Sequence, residues 1–441
     1  MKTLLSILLT ATLFLDATLT SAQTNVSGGI YNNTTWTRIN APYIVTGNIV
    51  LFPGKTLTIE PGVTVRVNSN CNIEIRGTLI AIGNVVDSIS FISNTTPTKG
   101  AWDYIQILNS SQNASASFEY CSIKHSTEGI LVECCWGNSS SYITHCSFDN
   151  NITASSYYAG WQLHIDSCSF NDNTVAVSHA DKRITNSTFT NNVTGIGCER
   201  FEARNCTFEN NQGAIDWNVG TSGYAVIDSC IITHNNIGVR IYNGPITNSD
   251  ISDNNFGVIT GHSSSTYMGI PYYVPISNNR ICNNTTFNVQ NLNSYNKNIT
   301  HNCFCVNDST AIETKLKDGY DDITLGLFNY DIWDSTCLVL YRSVFKVGPV
   351  PSAAGNLDVS FPELALYPNP FSTHFTTELN TKETGRFSIR IFNTLGQNLQ
   401  EIKLENAQPE IIDTKNLGSG LYIVQLLKDN TIIGQRKMVK E

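Results

Sequence analysis

The chain has 441 residues and a net charge of −9 at pH 7, and only 14% of its residues are charged. Nucleic acids and anionic membranes attract clustered Lys and Arg, so this charge argues against both as partners. Asn, Ser and Thr are abundant and strong helix formers are scarce, which excludes a mainly helical protein and favours short strands joined by tight turns.

The first residues have the pattern of an export signal. Residues 1–22, MKTLLSILLTATLFLDATLTSA, contain one Lys, an apolar run and small residues at the end. This pattern predicts a secretory signal peptide that is cleaved after Ala22. No later stretch is apolar enough to span a bilayer, so we expect a mature chain without a transmembrane segment.

A short motif recurs along the middle of the chain: CSFDNN begins at Cys146, CSFNDN at Cys168 and CTFENN at Cys206. A period of about 20 residues without helical periodicity or a Leu pattern predicts a solenoid of short strands. The anchor residues of the motif are Cys121, Cys146, Cys168, Ser187, Cys206, Cys230, Ser249 and Asn279.

Each repeat is expected to place its fixed residues inside a tube. An aliphatic residue lies three positions before the anchor and a Phe or Ile lies two positions after it, so stacked coils would form columns of like residues. Recurrent Asn residues are expected to adopt left-handed geometry at a corner and to bond the next Asn of the stack. They are Asn151, Asn173, Asn192, Asn211, Asn254 and Asn284.

The repeat resembles that of right-handed parallel β-helix proteins over about residues 30–346. The segment TLTIEPGVTVRV (Thr56–Val67) resembles their first coils, and Ala311–Trp333 resembles the segment that closes them. We therefore expect residues 23–345 to form a β-helix with a cap at each end, because uncapped coils aggregate edge to edge.

The 13 Cys residues suit an exported chain, and their odd number leaves at least one unpaired. Cys121, Cys146 and Cys168 are expected to be buried thiols, because Ser187 and Ser249 stand at the same position of the repeat. A second group leaves disulfides and a metal site open: Cys134, Cys135, Cys282, Cys303, Cys305 and Cys337. Its spacing matches no zinc motif, so we predict no metal and favour a disulfide that ties the C-terminal cap.

The acidic run DGYDD, Asp318–Asp322, is a further candidate for a metal ion. Calcium binds carboxylate oxygens, but the chain has no EF-hand loop, and a turn with solvated carboxylates is the simpler interpretation. We predict no cofactor and keep calcium at this turn as the alternative.

The strand that follows each recurrent Asn carries the candidate site. If its alternate residues face outward, one exposed column comprises Tyr158, Ser178, Glu199, Asp216, Arg240, Tyr242 and Ile259. Aromatic rings stack on sugar faces, which makes Tyr158 and Tyr242 candidate ligand-binding residues. The β-helix polysaccharide lyases use a base and a cation at an acidic sugar, and the resemblance makes Asp216, Arg240 and Glu199 candidate catalytic residues. An ordinary solvated face is the alternative.

Residues 346–362 are rich in Pro, Ala, Gly and Ser and are expected to form a linker. Alternating strands and tight turns over residues 363–441 predict a small antiparallel β-sandwich. Four motifs, LYPNPF, FSIRIFNTLGQNLQ, LGSGLYIVQLL and GQRKMVK, follow in this order from Leu366 to Lys440. They resemble the type A sorting domain of type IX secretion cargo.

This second resemblance implies export through the periplasm to the cell surface or the extracellular space. It also implies recognition by the type IX secretion machinery at the outer membrane. The residues that it makes the sorting signal are Gly418, Gly420, Tyr422, Lys437 and Lys440.

We therefore expect an all-β protein in which a right-handed parallel β-helix solenoid precedes a small antiparallel β-sandwich. The first function hypothesis is a carbohydrate-binding or adhesive surface protein. A polysaccharide lyase or glycosidase acting on an acidic glycan is the first alternative, and a structural spacer is the second. The fold hosts all three classes and does not decide among them, so whether the protein is an enzyme stays open. An enzyme needs acids with Arg or Lys in a groove walled by long loops, whereas a binder needs exposed aromatic residues.

Overall fold

The computed structural model of the chain describes residues 23–334 and 337, except 109–113, 134–140, 158–162, 180–181, 199, 218–223 and 262–273. It also describes residues 363–440, except 368–370, 381–385, 394–396, 405–409 and 430. The predicted signal peptide, residues 1–22, and the predicted linker, residues 346–362, lie outside the described residues. No helix within the described ranges is long and apolar enough to cross a membrane. The chain divides into two compact units, Met1–Val350 and Pro351–Glu441.

The first unit is a parallel β-helix whose coils stack strands in three series, here called the first, second and third sheets. The strands Thr24–Ile30 and Tyr43–Leu51 pair with each other, and Tyr43–Leu51 joins the first and second sheets by pairing in both. The other strands of the first sheet are Thr64–Val67, Ile89–Ser93, Cys121–Lys124, Ser147–Asp149, Ser169–Asn171, Thr188–Thr190, Thr207–Glu209, Ile231–Thr233, Asp250–Ser252 and Arg280–Cys282.

The second and third sheets run through the same coils. The second contains Ile73–Ile75, Trp102–Leu108, Ser126–Glu133, Thr153–Tyr157, Val175–Ser178, Thr194–Gly197, Gly213–Asp216, Ile237–Ile241, Phe256–Thr260, Phe287–Asn291 and Leu316–Lys317. The third contains Thr34–Trp36, Thr56–Ile59, Thr78–Ile82, Ser115–Glu119, Ser141–Thr144, Leu163–Asp166, Lys182–Thr185, Phe201–Arg204, Ala225–Asp228, Ile246–Thr247 and Ile276–Ser277.

Like residues stack on like across the coils, as the repeat predicted. In the first sheet Phe148 pairs with Phe170, Phe170 with Phe189 and Phe189 with Phe208. The centroids of neighbouring rings lie 4.6–4.9 Å apart. The aliphatic residues three positions before each anchor form the equivalent column of the third sheet. Both predicted columns are confirmed and fill the interior of the tube.

The anchor residues form a hydrogen-bonded column as well as an apolar one. The backbone N–H of Cys121 donates to Cys146 Sγ at 3.4 Å, and that of Cys168 donates to Ser187 Oγ at 3.1 Å. Cys, Ser and Asn can all accept this bond, which explains why they alternate at one position. The Cys anchors are free and buried, as predicted, and burial raises the pKa of Cys146 and Cys168 well above its ordinary value.

The recurrent Asn residues form the predicted amide ladder. The Oδ1 of Asn192 accepts from Asn173 N at 2.9 Å, and its Nδ2 donates to Phe170 O and Asn211 Oδ1 at 3.0 Å each. The ladder also includes Asn235, which the sequence analysis did not single out.

The expectation that the ladder Asn residues adopt left-handed geometry is wrong. The positive φ belongs to the residue before each of them, for example Asn191 with φ of 57° before Asn192. Asn191 is exposed and Asn192 is buried. The left-handed residue makes the turn, and the next residue points its amide into the corner.

The last coils are closed by irregular structure and two disulfides. Lys297–Asn298 pairs with Phe328–Asn329, and Asp308 caps the short helix Ser309–Glu313 by accepting from Ala311 N at 2.8 Å. A single 3₁₀ turn, Arg38–Asn40, lies near the other end. The disulfides Cys282–Cys305 and Cys303–Cys337 confirm the expected cross-link at the C-terminal cap.

The acidic run at Asp318–Asp322 forms a turn whose carboxylates bind its own backbone. Asp318 is buried, and its two oxygens accept from Tyr320 N at 2.9 Å and Phe328 N at 2.7 Å. Asp322 accepts from the N–H and hydroxyl of Thr324. These bonds show how the carboxylates fold the turn, and calcium at this turn stays a prediction.

The second unit consists of two small antiparallel sheets. One contains Glu363–Tyr367, His374–Asn380 and Glu410–Asp413, and the other contains Asn398–Leu404, Phe387–Phe392, Gly420–Lys428 and Thr431–Lys440. Phe375 from the first of these sheets and Ile389, Ile391 and Val424 from the second belong to one buried apolar cluster. This packing gives the β-sandwich that the sequence predicted.

Candidate functional site

Asp216 and Arg240 lie on neighbouring strands of the second sheet and pair directly in register, as predicted. Arg240 Nη1 is 2.9 Å from Asp216 Oδ1, and each side chain is about 20% exposed. Burial raises the pKa of Asp216 above its ordinary value, although the charge and hydrogen bond of Arg240 act in the opposite direction. The two groups neutralise each other, so neither presents a free charge to a ligand in this arrangement.

The other members of the predicted column have different outcomes. Ile259 pairs beside Arg240, but it is only 4% exposed, so its predicted place on the exposed face is wrong. Ser178 occupies the equivalent position on an earlier strand. The placement of Tyr242 on the exposed face is wrong, because it is 1% exposed and packs edge-on against Trp217 with the rings 5.0 Å apart. The strand ends at Ile241, so strict alternation stops there and the chain turns Tyr242 inward.

Tyr158 and Glu199 lie outside the described residues, and so do residues 134–140, 218–223 and 262–273, where the three longest repeats carry their extra residues. The groove walls that an enzyme needs therefore stay a prediction.

The β-helix also contains a buried lysine, Lys182, which the sequence analysis missed. Lys182 stands in the inward column of the third sheet between Leu163 and Phe201, and it is 3% exposed. Its Nζ donates to Ser178 O at 2.6 Å and Ser155 O at 3.2 Å. Alignment of the repeats would have revealed this lysine, because it places the charged Lys182 in a column of apolar residues.

The environment of Lys182 shifts its protonation. Burial lowers its pKa to about 8, while the neighbouring Cys198 and Glu128 act to raise it. The pKa of Glu128 is raised, also chiefly by burial. Lys182 closes the corner between the second and third sheets and holds two backbone carbonyls there, which is a structural task.

The outer face of the third sheet carries aromatic side chains on neighbouring coils, of which Tyr142 is the most exposed. Tyr142 is 49% exposed and stacks on His164, with ring centroids 5.4 Å apart and an interplanar angle of 16°. Tyr120 and His145, which follow the strands Ser115–Glu119 and Ser141–Thr144, stack at 4.7 Å and 15°. We call Tyr120, Tyr142, His145 and His164 the aromatic patch.

The aromatic patch continues into a row of charged side chains on the next strands of the same face. Glu202 lies 3.4 Å from Arg183 and 3.6 Å from Arg204, and Arg204 Nη1 lies 2.9 Å from Asp228 Oδ2. We call Arg183, Glu202, Arg204 and Asp228 the ionic row. Its positive and negative groups contact one another on successive strands, so they hold one another in place.

The end of the ionic row is fixed by further bonds. Burial raises the pKa of Asp228, but hydrogen bonds from Asn248 and Thr247 and the charge of Arg204 outweigh that effect, so the pKa lies below its ordinary value. Asp228 is therefore a carboxylate at neutral pH with its oxygens already engaged. The face as a whole offers ordered polar groups beside exposed rings.

The predicted sorting residues gather around one loop of the second unit. Gly418 and Tyr422 line a groove of about 480 Å³ together with Thr414. The Tyr422 hydroxyl donates to Gly418 O at 2.6 Å, and the buried Lys440 donates to Thr414 O at 2.6 Å.

The remaining sorting residues lie on the strands beside this loop. Gly420 is exposed at the start of the strand Gly420–Lys428. Lys437 pairs with Ile423 through the backbone, and its side chain falls outside the described residues. The role of these residues in sorting stays a prediction.

Two family models match the chain. The right-handed β-helix region matches residues 84–226, and the secretion system C-terminal sorting domain matches residues 365–441. Among curated proteins, Protein bark beetle of Drosophila melanogaster is 44% identical over 61 residues, which is 14% of this chain and 2% of that protein. The chain thus spans a very small part of this relative. No solved structure gives a significant match.

Proposed function

The chain is a right-handed β-helix protein with a C-terminal type IX secretion sorting domain, exported to the cell surface or the extracellular space, and from this we propose that it binds carbohydrate through the outer face of its third sheet. The observation that carries the proposal is the stacked and half-exposed pair Tyr142 and His164. Pyranose rings have apolar faces that stack on aromatic side chains. A rigid sheet supplies such rings at fixed spacing and at little cost in conformational entropy.

The ionic row suits the hydroxyl groups of the same glycan. The charges of the ionic row balance, so the remaining donors and acceptors of Arg183, Glu202 and Arg204 can bind hydroxyls without a net charge to neutralise. A neutral or weakly charged glycan fits this face better than a strongly acidic one. The glycan would lie across the coils, with sugar rings on the aromatic patch and hydroxyls along the ionic row.

The test is glycan retention by the full exported chain and its variants. Tyr142→Ala should weaken binding about tenfold, which corresponds to about 1.4 kcal/mol. Tyr31→Ala is the matched control, because Tyr31 is also exposed and stacked, on Phe52 at 4.4 Å, but lies outside the third sheet. If Tyr142→Ala and His164→Ala both retain every glycan that the parent binds, the third sheet is not the binding face.

A polysaccharide lyase acting on an acidic glycan is the second function, and the Asp216–Arg240 pair favours it. Burial raises the pKa of the Asp216 carboxyl group, as a proton-transferring group needs, and protonation of Asp216 would break the ion pair and leave Arg240 to neutralise a sugar carboxylate. Under this function, Arg240→Ala should abolish the release of unsaturated uronates while leaving some binding, because a group that acts in the transition state affects rate more than affinity. If the parent protein neither binds nor cleaves a glycan, a structural spacer is the function that remains.

A further inference from the structure

Four sulfur atoms meet at the C-terminal end of the β-helix. Cys282 ends the last strand of the first sheet, and Cys303 lies on the following coil, where it bridges to Arg280. Besides the bonded pairs Cys282–Cys305 and Cys303–Cys337, the Sγ of Cys305 is 3.8 Å from that of Cys303 and 3.7 Å from that of Cys337. The two disulfides are therefore in contact and form one cluster.

We propose that this cluster is also a metal site, which in its reduced state holds one Zn²⁺ or a similarly soft divalent cation through Cys282, Cys303, Cys305 and Cys337. Within the described part of the chain, Cys282, Cys303 and Cys305 are the group whose ligand atoms lie close enough together to hold a metal ion, all within 4.8 Å of one another. Cys337 supplies the fourth sulfur that a closed tetrahedral site needs.

The spacing of the sulfurs fits tetrahedral zinc. A Zn–S bond of about 2.3 Å places the sulfurs of a tetrahedron about 3.8 Å apart. The two non-bonded separations at Cys305 already have this value. The two bonded contacts must open to the same separation, and we expect rotation of the Cys side chains to supply that movement.

The backbone around the cluster favours thiolate ligands. The N–H of Cys305 points at the Sγ of Cys303 at 3.2 Å, and a hydrogen bond to sulfur stabilises its anionic form. Cys282 and Cys303 are buried on stacked coils, which fixes half of the ligand set, whereas Cys305 is exposed and gives an ion access. The site is thus partly preformed by the β-helix.

Electrons and protons balance between the oxidised and the metal-bound states. Each disulfide accepts two electrons and two protons from a dithiol, which becomes a disulfide itself. The four thiols then lose four protons to the solvent as the cation binds. Either covalent bonds or the cation can therefore close the last coil, depending on the redox state of the compartment.

The test uses the full chain, reduced with a dithiol and titrated with Co²⁺ as a spectroscopic probe. We expect one Co²⁺ per chain with the visible absorption of a tetrahedral thiolate site, and its displacement by Zn²⁺. Cys303→Ser and Cys305→Ser should each weaken metal binding by more than the roughly 10–100-fold that is typical of changes outside the ligand set. Cys168→Ser, at a buried thiol of the anchor column, is the control and should bind as the parent does.

A second measurement keeps the proposal testable if a variant fails to fold. In the reduced parent, Zn²⁺ should protect Cys282, Cys303, Cys305 and Cys337 from alkylation, as mapped by mass spectrometry, and a chelator should expose them. The double variant Cys134→Ser, Cys135→Ser should show the same protection. The proposal is overturned if the reduced parent binds no stoichiometric Co²⁺, or if Zn²⁺ protects other Cys residues in place of these four.

Discussion

At the scale of single residues, the buried Asn of each repeat and the residue before it have different roles. The exposed Asn191 supplies the left-handed backbone, and the buried Asn192 supplies the amide that links three coils. The sequence shows both residues but not which one forms the turn and which one joins the amide ladder, because Asn tolerates positive φ and also makes good amide ladders. Only the direction of the side chain, set by the turn, separates the two roles.

This division predicts different outcomes at neighbouring positions. Asn192→Asp removes the donor to Phe170 O and Asn211 Oδ1 and places a carboxylate in a buried corner, so it should destabilise the β-helix by several kcal/mol. Asn191→Gly keeps the left-handed backbone and is the matched control, with an expected change within about 1 kcal/mol. Thermal melting of both variants is the measurement, and equal shifts would contradict the assignment.

The buried Lys182 predicts a pH dependence of stability. Its pKa is about 8 in the folded chain, against the ordinary lysine value of 10.5 that applies once the chain unfolds. Between these two values the unfolded chain holds a proton that the folded chain has released. The free energy of unfolding therefore rises with pH between about 8 and 10.5, and Lys182 contributes up to about 3 kcal/mol to that rise. Below pH 8 both states are protonated and the contribution is constant.

The experiment compares the parent with Lys182→Met in urea unfolding at pH 7 and pH 10. Buried thiols such as Cys146, with raised pKa values, contribute with the opposite sign, so the difference between the two proteins is the informative quantity. The parent should gain stability relative to the variant as the pH rises. Lys99→Met, which removes a lysine paired with Asp172 near the surface, is the control for loss of charge alone.

At the scale of the elements, the period of the repeat made the interior predictable. Each coil returns like residues to the same position, so the Phe/Ile and aliphatic columns and their register follow from alignment of the motif. The edges of the second sheet did not follow, since the strand that ends at Ile241 runs one residue beyond the aligned strands that end at Gly197 and Asp216. Tyr242 was misplaced for this reason.

The exposed aromatic residues were predictable in principle but were not predicted. Tyr142 and Arg183 alternate with the aliphatic column of the third sheet, so the same period assigns them to its outer face. The stacking of Tyr142 on His164 was out of reach, because ring orientation depends on side-chain rotamers that no spacing determines. The side-chain contacts therefore favour the third sheet, and not the second, as the location of the candidate site.

The aromatic column of the first sheet should carry much of the stability of the middle coils. Phe189 is completely buried between Phe170 and Phe208, so Phe189→Ala should cost about 3–5 kcal/mol. Thr190→Ala removes an outward residue of the same strand and should have a small effect. Because each coil contacts only its neighbours, hydrogen exchange should show the damage concentrated in the coils around Phe189. Uniform loss of protection would contradict this picture.

At the scale of the whole molecule, the two units have separate cores and separate tasks. The β-helix buries its own columns, and the second unit has its own apolar cluster around Phe375 and Val424. Because the second unit has its own core, we expect it to fold and to be recognised by the secretion machinery independently of the β-helix.

This separation predicts the effect of removing the second unit. Deletion of Glu363–Glu441 takes away the sorting domain and none of the residues of the β-helix core, so the melting temperature of the β-helix should change little. The truncated protein should accumulate in the periplasm, because the signal for passage across the outer membrane is gone. Fractionation of cells followed by immunodetection is the measurement for location.

The single variant Tyr422→Phe distinguishes the sorting loop from the domain as a whole. It removes the hydroxyl that donates to Gly418 O and keeps the ring in the apolar cluster, so the second unit should lose only about 1 kcal/mol. If the loop that carries Gly418 is what the machinery reads, export should fall although the unit stays folded. Export equal to that of the parent would place recognition elsewhere on the sorting domain, and surface delivery of the full deletion would show that this domain is not required for export at all.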